Sequence, residues 1–347
     1  MNWMNWRLPF LSAGYGIDLG TANTVVVSPR RGVILNEPSY MVVRNDPDRK
    51  GEPLAIGRAA KDLIGRTPAG LTAIRPLRDG VITDLQTARS FILAIINMSA
   101  HHPWQRFRPR AVIGIPAGAT GLERRALMEA AEESGIRKVD LLPEPIAGAL
   151  GSGRDPLAPR AQMVVDVGGG TAEVTVFCYG GILASRSSRV AGDEMTEAVN
   201  QWLRQEQKIV VGELTAEQVK VQLHSNGSGP APVMVAGRDM ASDRPKQVTL
   251  DPSQLQDALK PTVDSILATL GSVVEDLPAQ AVGDIMEDGI LLFGGGSQLD
   301  GFPERIQQAF GFKVQVSERP MTCVAEGAAA ALSRPRVLQA FGSSEHF

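Results

Sequence analysis

Cysteine is almost missing from this 347-residue chain, which holds only Cys178 and Cys323. They stand far apart and without metal-ligand spacing, so a disulfide framework is excluded and a reducing compartment is expected. Core packing is the expected role of both. Long hydrophobic runs are missing as well, and no stretch of about eighteen apolar residues reads as a membrane span. The N-terminus lacks the ordered basic, apolar and small-residue regions of a secretory signal, so the expected location is the cytoplasm. Charge of one sign is not in excess. A formal net charge of −3 leaves no basic footprint, which argues against nucleic acid as a partner. Aromatic residues are scarce at 5%, so the crowding of Trp3, Trp6 and Phe10 in MNWMNWRLPFL is conspicuous. No G-x-x-x-x-G-K-[ST] and no G-x-G-x-x-G after a strand occur, which excludes the two commonest nucleotide folds. His101 and His102 have no third ligand nearby and read as surface residues.

What is present is ordinary globular composition, 43% hydrophobic and 21% charged, so a sizeable core is available. The length asks for two or three domains. Strand-like and helix-like segments alternate along the chain, which makes the class α/β. Strands are expected at GIDLG and TVVVS, at Arg110 to Ile115, through MVVDVGGGTAEVTVF and at GILLF. Helices are expected over Ala59 to Ile64, Leu85 to Met98, LERRALMEAAEES and Ser253 to Glu275. Gly135 is the stop signal of the third, because glycine readily takes the left-handed conformation. Residues 151–160 and 225–232 are rich in Gly, Ser and Pro and are expected to be loosely ordered surface connections, the first at a domain boundary.

The most informative feature is an internal echo. GIDLGTANTVVV and VVDVGGGTAEVTVF share one plan: an apolar strand, an aspartate, one apolar residue, a glycine-containing turn and a β-branched strand. Asp18 and Asp166 are thereby delivered to the mouths of two tight turns. The turns are Gly20-Thr21-Ala22-Asn23 and Gly168-Gly169-Gly170-Thr171. Turns this small expose backbone N–H groups as a concave donor array suited to phosphate oxygens. A carboxylate beside phosphate repels it unless a cation intervenes, so two aspartates aimed at one cleft imply a divalent metal, with Mg²⁺ the natural candidate. One Asp-x-Gly after a strand is commonly just a hairpin. Two matching ones are better read as a duplicated half-site. A third turn, Gly294-Gly295-Gly296, follows GILLF; by itself it reads as strand–helix packing, and beside the other two as a flat seat for adenine or the α-phosphate.

The two hairpins and the late glycine turn resemble the phosphate-1, phosphate-2 and adenosine motifs of the actin superfamily, which also holds sugar kinases and heat-shock chaperone ATPases. Further blocks resemble the MreB family of bacterial actins: GIDLGTANTVV, LNEPSY, IGRTPAGLTAIRPLRDGVITD, RAVIGIP, ERRALMEAA, EPIAGALG, AGDEMTEAV, GELTAEQVK and TCVAEGAAAAL, in the family's order from residue 14 to about 332. The resemblance implies an actin-like two-lobed fold, each lobe a mixed β-sheet flanked by helices, with ATP in the central cleft. It implies domain I over 14–150 and 320–347, with a small subdomain at about 33–80. Domain II would cover 151–319, with a small subdomain at about 190–250. Asp18 and Asp166 become Mg²⁺-organising carboxylates acting mostly through water. Gly20, Thr21, Ala22, Asn23 and Gly168 to Thr171 become the phosphate clamps, and Gly294, Gly295 and Gly296 the adenosine turn.

Glu123 matches, by the same resemblance, the residue that orients the attacking water, with Asp166 and Thr171 as its catalytic companions. On spacing alone, Thr120-x-x-Glu123 is a capping box at a helix start. Glu217 and Lys220 stand at i and i+3, where a solvated ion pair is the ordinary reading; the resemblance puts them at the ribose. Two departures occur. Ala172 stands where a second threonine is usual, which removes a hydroxyl expected beside the γ-phosphate. Phe293 and Gln298 replace the usual Thr and Leu of the adenosine turn.

Residues 1–13 read as an amphipathic membrane-binding segment, with Trp3, Trp6, Phe10 and Leu11 as anchors, since tryptophan sits well at a headgroup boundary. Trp104 and Phe107, in the basic loop HHPWQRFRPR, are a second candidate anchor. Weak anchors repeated along a filament attach firmly. The expected function is thus an ATP-dependent, slowly hydrolysing cytoskeletal filament protein on the inner face of the cell membrane, organising wall synthesis and rod shape. Its expected partners are itself, inner membrane lipid and, by the resemblance, RodZ, MreC and the elongation-specific wall synthases. A small-molecule kinase would need an extra catalytic base for its acceptor, and no further carboxylate motif is evident. A chaperone-like ATPase would carry a long substrate domain after the core, whereas the last matching block ends at Leu332.

Overall fold

The computed structural model describes residues 14–46, 52–78, 81–82, 84–100, 109–222 and 232–342. The proposed membrane residues Trp3, Trp6, Phe10, Leu11, Trp104 and Phe107 lie outside them, as does nearly all of 225–232.

Two five-stranded sheets are built on one plan. In the first, Gly32–Pro38, Asn23–Ser28 and Gly14–Leu19 run antiparallel, then Arg110–Ile115 and Lys138–Pro143 run parallel to Gly14–Leu19. In the second, Gly181–Ser188, Ala172–Cys178 and Gln162–Val167 run antiparallel, then Ile290–Phe293 and Val314–Val316 run parallel to Gln162–Val167. The echo seen in the sequence is therefore a repeated topology, with each Asp-bearing strand at the centre of its sheet. The central strands read as apolar runs because both faces are covered: Gln162–Val167 is buried throughout.

Each sheet carries its own core. Phe91, Ile92, Ile95 and Ile96 of helix Leu85–Ser99 cover the first with Ile17, Ile113 and Leu141. Val199, Leu203, Leu259, Ile266 and Leu270 cover the second with Val165, Val174 and Leu292. Helices Glu144–Gly151 and Cys323–Ala331 belong to a third core, shared with Val112 and Leu142 of one sheet and Val164, Phe177 and Leu291 of the other. They cross closely because both are poor in side chains. A Cβ on Gly327 would lie 1.7 Å from the Ala147 carbonyl oxygen, and one on Gly151 1.9 Å from that of Cys323. Cys323 is fully buried here, and Cys178 is partly buried at a strand end.

Two small three-stranded sheets and a two-stranded ribbon of Leu77–Arg78 and Val81–Ile82 complete the described residues. Pro53–Ile56, Met41–Arg44 and Leu71–Ile74 form one small sheet, and Ile209–Val210, Val233–Asp239 and Pro245–Leu250 the other. Residues 151–160 do not form the loose connection their composition suggests. Gly153, Arg154 and Ala158 donate to Leu150, Ala149 and Asp155, while Tyr179 and Gly180 donate back to Ala158 and Pro156. Helix Leu85–Ser99 starts on the Asp84 side chain, which accepts from the Thr87 N–H, and Gly135 takes φ +94° after helix Gly121–Glu133.

Candidate functional site

In open α/β sheets, ligands settle at the carboxyl ends of the parallel strands. Here those ends converge. Gly14–Leu19 leads to the first glycine turn, Lys138–Pro143 to Glu144, Gln162–Val167 to the second turn and Ile290–Phe293 to Gly294. All of these residues line one cavity of about 400 Å³, together with Tyr40, Lys61, Arg75, Asp193, Glu213, Glu217, Lys220 and Gln298. Every proposed nucleotide residue is in its wall: Asp18, Gly20, Thr21, Ala22, Asn23, Asp166, Gly168, Gly169, Gly170, Thr171, Glu217, Lys220, Gly294, Gly295 and Gly296.

The turns face each other at contact distance. A Cβ added to Gly169 would lie 2.9 Å from the Ala22 Cβ, so glycine is required for this approach. Each turn is tied from behind. The Ser39 hydroxyl donates to the Gly20 carbonyl at 2.6 Å, and the Ser39 N–H to that of Ala22 at 3.0 Å. On the other side, the Gly192 and Asp193 N–H groups, opening helix Gly192–Gln205, donate to the Gly168 and Gly169 carbonyls at 3.1 and 2.7 Å. The backbone of each turn is thereby fixed at the cavity wall, and the Gly168 N–H closes the second turn on the Thr171 carbonyl. Gly294 has φ +82°, and a Cβ there would fall 2.5 Å from an Asp166 carboxylate oxygen. The third turn thus packs directly on the second aspartate.

Four carboxyl groups gather under the turns. Burial pushes Asp18 up to about 7. Asp166 is driven well above the usual carboxylate range by burial, then by Glu173 and Asp18. Glu144 is driven up likewise by burial and then by Asp18, Glu173 and Asp166. Glu173, paired with Asp166 across the hairpin, is raised by burial and partly restored by the Ala117 N–H. That N–H meets Glu173 Oε2 at 3.1 Å, while Oε1 is buried without a partner. Groups this close and this buried cannot all ionise without a cation. No three His, Cys, Asp or Glu side chains among the described residues make a ready metal cage. Hard oxygen donors too few to enclose a cation fit Mg²⁺ that keeps waters and shares its shell with phosphate.

Glu123 stands elsewhere. Its carboxylate accepts from the Thr120 N–H at 2.7 Å, and its own N–H donates to the Thr120 hydroxyl at 3.2 Å, which completes the capping box. It is not in the cavity wall. The carboxylate in that wall is Glu144, which opens helix Glu144–Gly151. In the sequence Glu144 opens the block EPIAGALG and Glu173 lies in the hairpin VVDVGGGTAEVTVF, and neither is assigned a role there. The available signals were an acid directly after an apolar strand and an acid interrupting the apolar run of Ala172–Cys178.

Ala172 is fully buried in the second core and outside the cavity wall. A hydroxyl there would not sit free beside a phosphate, so the departure from threonine belongs to packing. Phe293 is buried too; a Cβ on Gly148 would lie 2.2 Å from its ring, so the large side chain fills the space that a glycine leaves. Glu217 and Lys220 form an ion pair at 2.6 Å, but not a solvated one. Lys220 Nζ also donates to the Gly192 carbonyl at 2.8 Å and the Thr196 hydroxyl at 3.0 Å. Burial pushes Glu217 up, but the Lys220 ammonium and the Thr196 hydroxyl outweigh it and hold the carboxyl low.

The sequence profile of the family described as MreB/Mbl protein matches residues 12–340. The cell shape-determining protein MreB of Escherichia coli (strain K12) is 38% identical over 321 residues, covering 91% of this chain and 92% of that one. The cell shape-determining protein Mbl of Bacillus subtilis (strain 168) is 35% identical, covering 90% and 93%. Among solved structures, MreB5 of Spiroplasma citri bound to ADP superposes with a TM-score of 0.86 at 29% identity, over 94% of this chain and 97% of that one. The MamK double helical filament, at TM-score 0.76 and 20% identity over 93% and 99%, shares the actin-like fold.

Proposed function

We propose, from the premise that the chain belongs to the MreB/Mbl family, that it binds ATP in this cavity and assembles into shape-maintaining cytoskeletal filaments. The observation that carries the reading is the contact between the two glycine turns, each with its aspartate, across one cavity. Crystal structures of the Spiroplasma citri relative bound to ADP and to AMPPNP support a nucleotide there. The backbone N–H groups of the turns would hold the phosphate oxygens. Asp18 and Asp166 would hold Mg²⁺, mostly through water. When bound, that ion neutralises charge developing on the phosphates. Glu144 would accept a hydrogen bond from the attacking water and set its direction, and Thr171 would stand beside it. Slow hydrolysis of this kind needs chiefly positioning from the protein.

Head-to-tail contacts that do not close on themselves give filaments. Among the described residues no helix is long and apolar enough to cross a membrane. By their tryptophan and apolar residues, residues 1–13, with Trp104 and Phe107, would supply peripheral attachment to the inner face of the cell membrane. RodZ, MreC and elongation-specific wall synthases are the proposed partners there. Sedimentation of the full chain with ATP, Mg²⁺ and anionic liposomes, with phosphate release followed in parallel, tests the reading. ATP-dependent pelleting with liposomes is expected, and loss of liposome pelleting on removal of residues 1–11. In a parallel incubation with added sugars, a soluble phosphorylated sugar without polymer would instead assign a small-molecule kinase.

A further inference from the structure

Several blocks that the sequence singles out do no work on the phosphates. Tyr40 ends LNEPSY, Arg75 lies in IRPLRDG, and Asp193 and Glu213 open the helices of AGDEMTEAV and GELTAEQVK. In the fold they meet across the cavity. Tyr40 and Arg75 flank Met41–Arg44 and Leu71–Ile74, paired strands of the first small sheet. Asp193 and Glu213 belong to the opposite wall, on the helices beside the second small sheet. Arg75 Nη1 donates to Asp193 Oδ2 at 2.5 Å, and Nη2 to Glu213 Oε1 at 2.6 Å. Arg75 Nε donates to the Tyr40 hydroxyl at 2.8 Å, which itself donates to Glu213 Oε1 at 3.3 Å. The guanidinium carbon stands 4.9 Å from the Tyr40 ring centroid.

We propose that this cluster is a latch, and that Arg75 is a positioning residue which sets how long the nucleotide stays bound. The inference rests on the nucleotide reading above. Two features distinguish the latch from an ordinary surface ion pair. First, both halves are coupled to the phosphate turns. Tyr40 follows Ser39, which ties down the first turn, and the Asp193 N–H ties down the Gly169 carbonyl of the second. Parting the walls breaks the latch and loosens the turns together. Second, the site is shielded. The side chains of Arg75 and Asp193 are 20% and 29% exposed, against 52% for Glu213, so the Asp193 arm is the less screened and carries more of the closure. The planar fork of arginine spans both carboxylates while stacking on the phenol, which a lysine cannot do.

Loss of a charge-assisted hydrogen bond of this kind corresponds to roughly a ten- to hundredfold change in a rate or equilibrium constant. Stopped-flow displacement of a fluorescent ATP analogue by excess ATP reads the dissociation rate directly. Arg75→Ala and Asp193→Asn are expected to speed dissociation by about that factor, with Glu213→Gln and Arg75→Lys smaller in effect. The melting temperature of the nucleotide-free protein, recorded alongside, shows that each variant is folded. Arg75→Ala combined with Asp193→Asn should dissociate no faster than Arg75→Ala alone, because one contact is removed twice. Dissociation within about twofold of the unaltered protein in Arg75→Lys, Glu213→Gln and Asp193→Asn, or additive effects in the double variant, overturns the latch alone. Failure of the unaltered protein to bind the analogue overturns both the nucleotide reading and the latch.

Discussion

Glu123 and Glu144 are both glutamates at helix starts, yet their carboxylates are held for different ends. Glu123 is spent on the Thr120 N–H, whereas Glu144 stands in the cavity wall with Asp18 and Asp166 and feels the charge of Glu173 as well. Glu144→Ala is therefore expected to slow ATP hydrolysis by about a hundredfold or more while nucleotide binding persists. Glu123→Ala is expected to cost about 0.3–1 kcal/mol of stability with turnover nearly unchanged. Steady-state phosphate release and thermal melts of the two variants decide between them; the reverse pattern would return the water-orienting role to Glu123. The acid cluster also fixes a pH response. Asp18 ionises near 7 in the folded chain but near an ordinary aspartate value of about 4 when unfolded. The folded state holds more protons in that window, so stability of the nucleotide-free protein falls as pH rises through it. Melting temperatures measured from about pH 4.5 to 7.5 should decline, and Mg·ATP should flatten the decline. A rise across the window would contradict the clustering. Residue by residue, Asp18 and Asp166 were legible because each ends an apolar run and stands two residues before a glycine turn. Glu144 was not, because its place depends on Lys138–Pro143 lying parallel to Arg110–Ile115, a pairing that local sequence does not encode.

The elements around the cleft were easier to read than their packing. Strands and turns announced themselves through β-branched runs and glycines, and the Thr120 cap and the Gly135 stop mark helix Gly121–Glu133 by local rules. The crossing of helices Glu144–Gly151 and Cys323–Ala331 was not legible. It depends on Gly327 and Gly151 meeting backbone about 180 residues away in sequence, and small residues alone do not name their partners. The Gly148–Phe293 contact belongs to the same class. Gly148→Ala should drive a methyl into the buried ring and cost about 1–3 kcal/mol by overpacking. Combining it with Phe293→Leu should recover part of that loss, as read by denaturant melts of the single and double variants. Additive losses would mean the two positions do not share the space.

At the scale of the molecule, the repeated sheet is the feature from which the rest follows. Two copies of one topology, each ending a central strand in an aspartate and a glycine turn, face each other around helices Glu144–Gly151 and Cys323–Ala331. Small sheets on either side bring Arg75 and Asp193 together over the cavity. The duplication was visible as a pair of motifs, while the closure was not, since the latch residues come from blocks with no local signature of contact. On the proposed reading, a cavity built this way would recognise a chain of phosphates first and the base second. Titration calorimetry of the unaltered protein with ATP, ADP and adenosine in the presence of Mg²⁺ tests this most directly. The expected result is that affinity falls from ATP to adenosine by about a hundredfold or more, the loss of two or more charge-assisted contacts. Equal affinity for adenosine and ATP, or binding of neither, would contradict it.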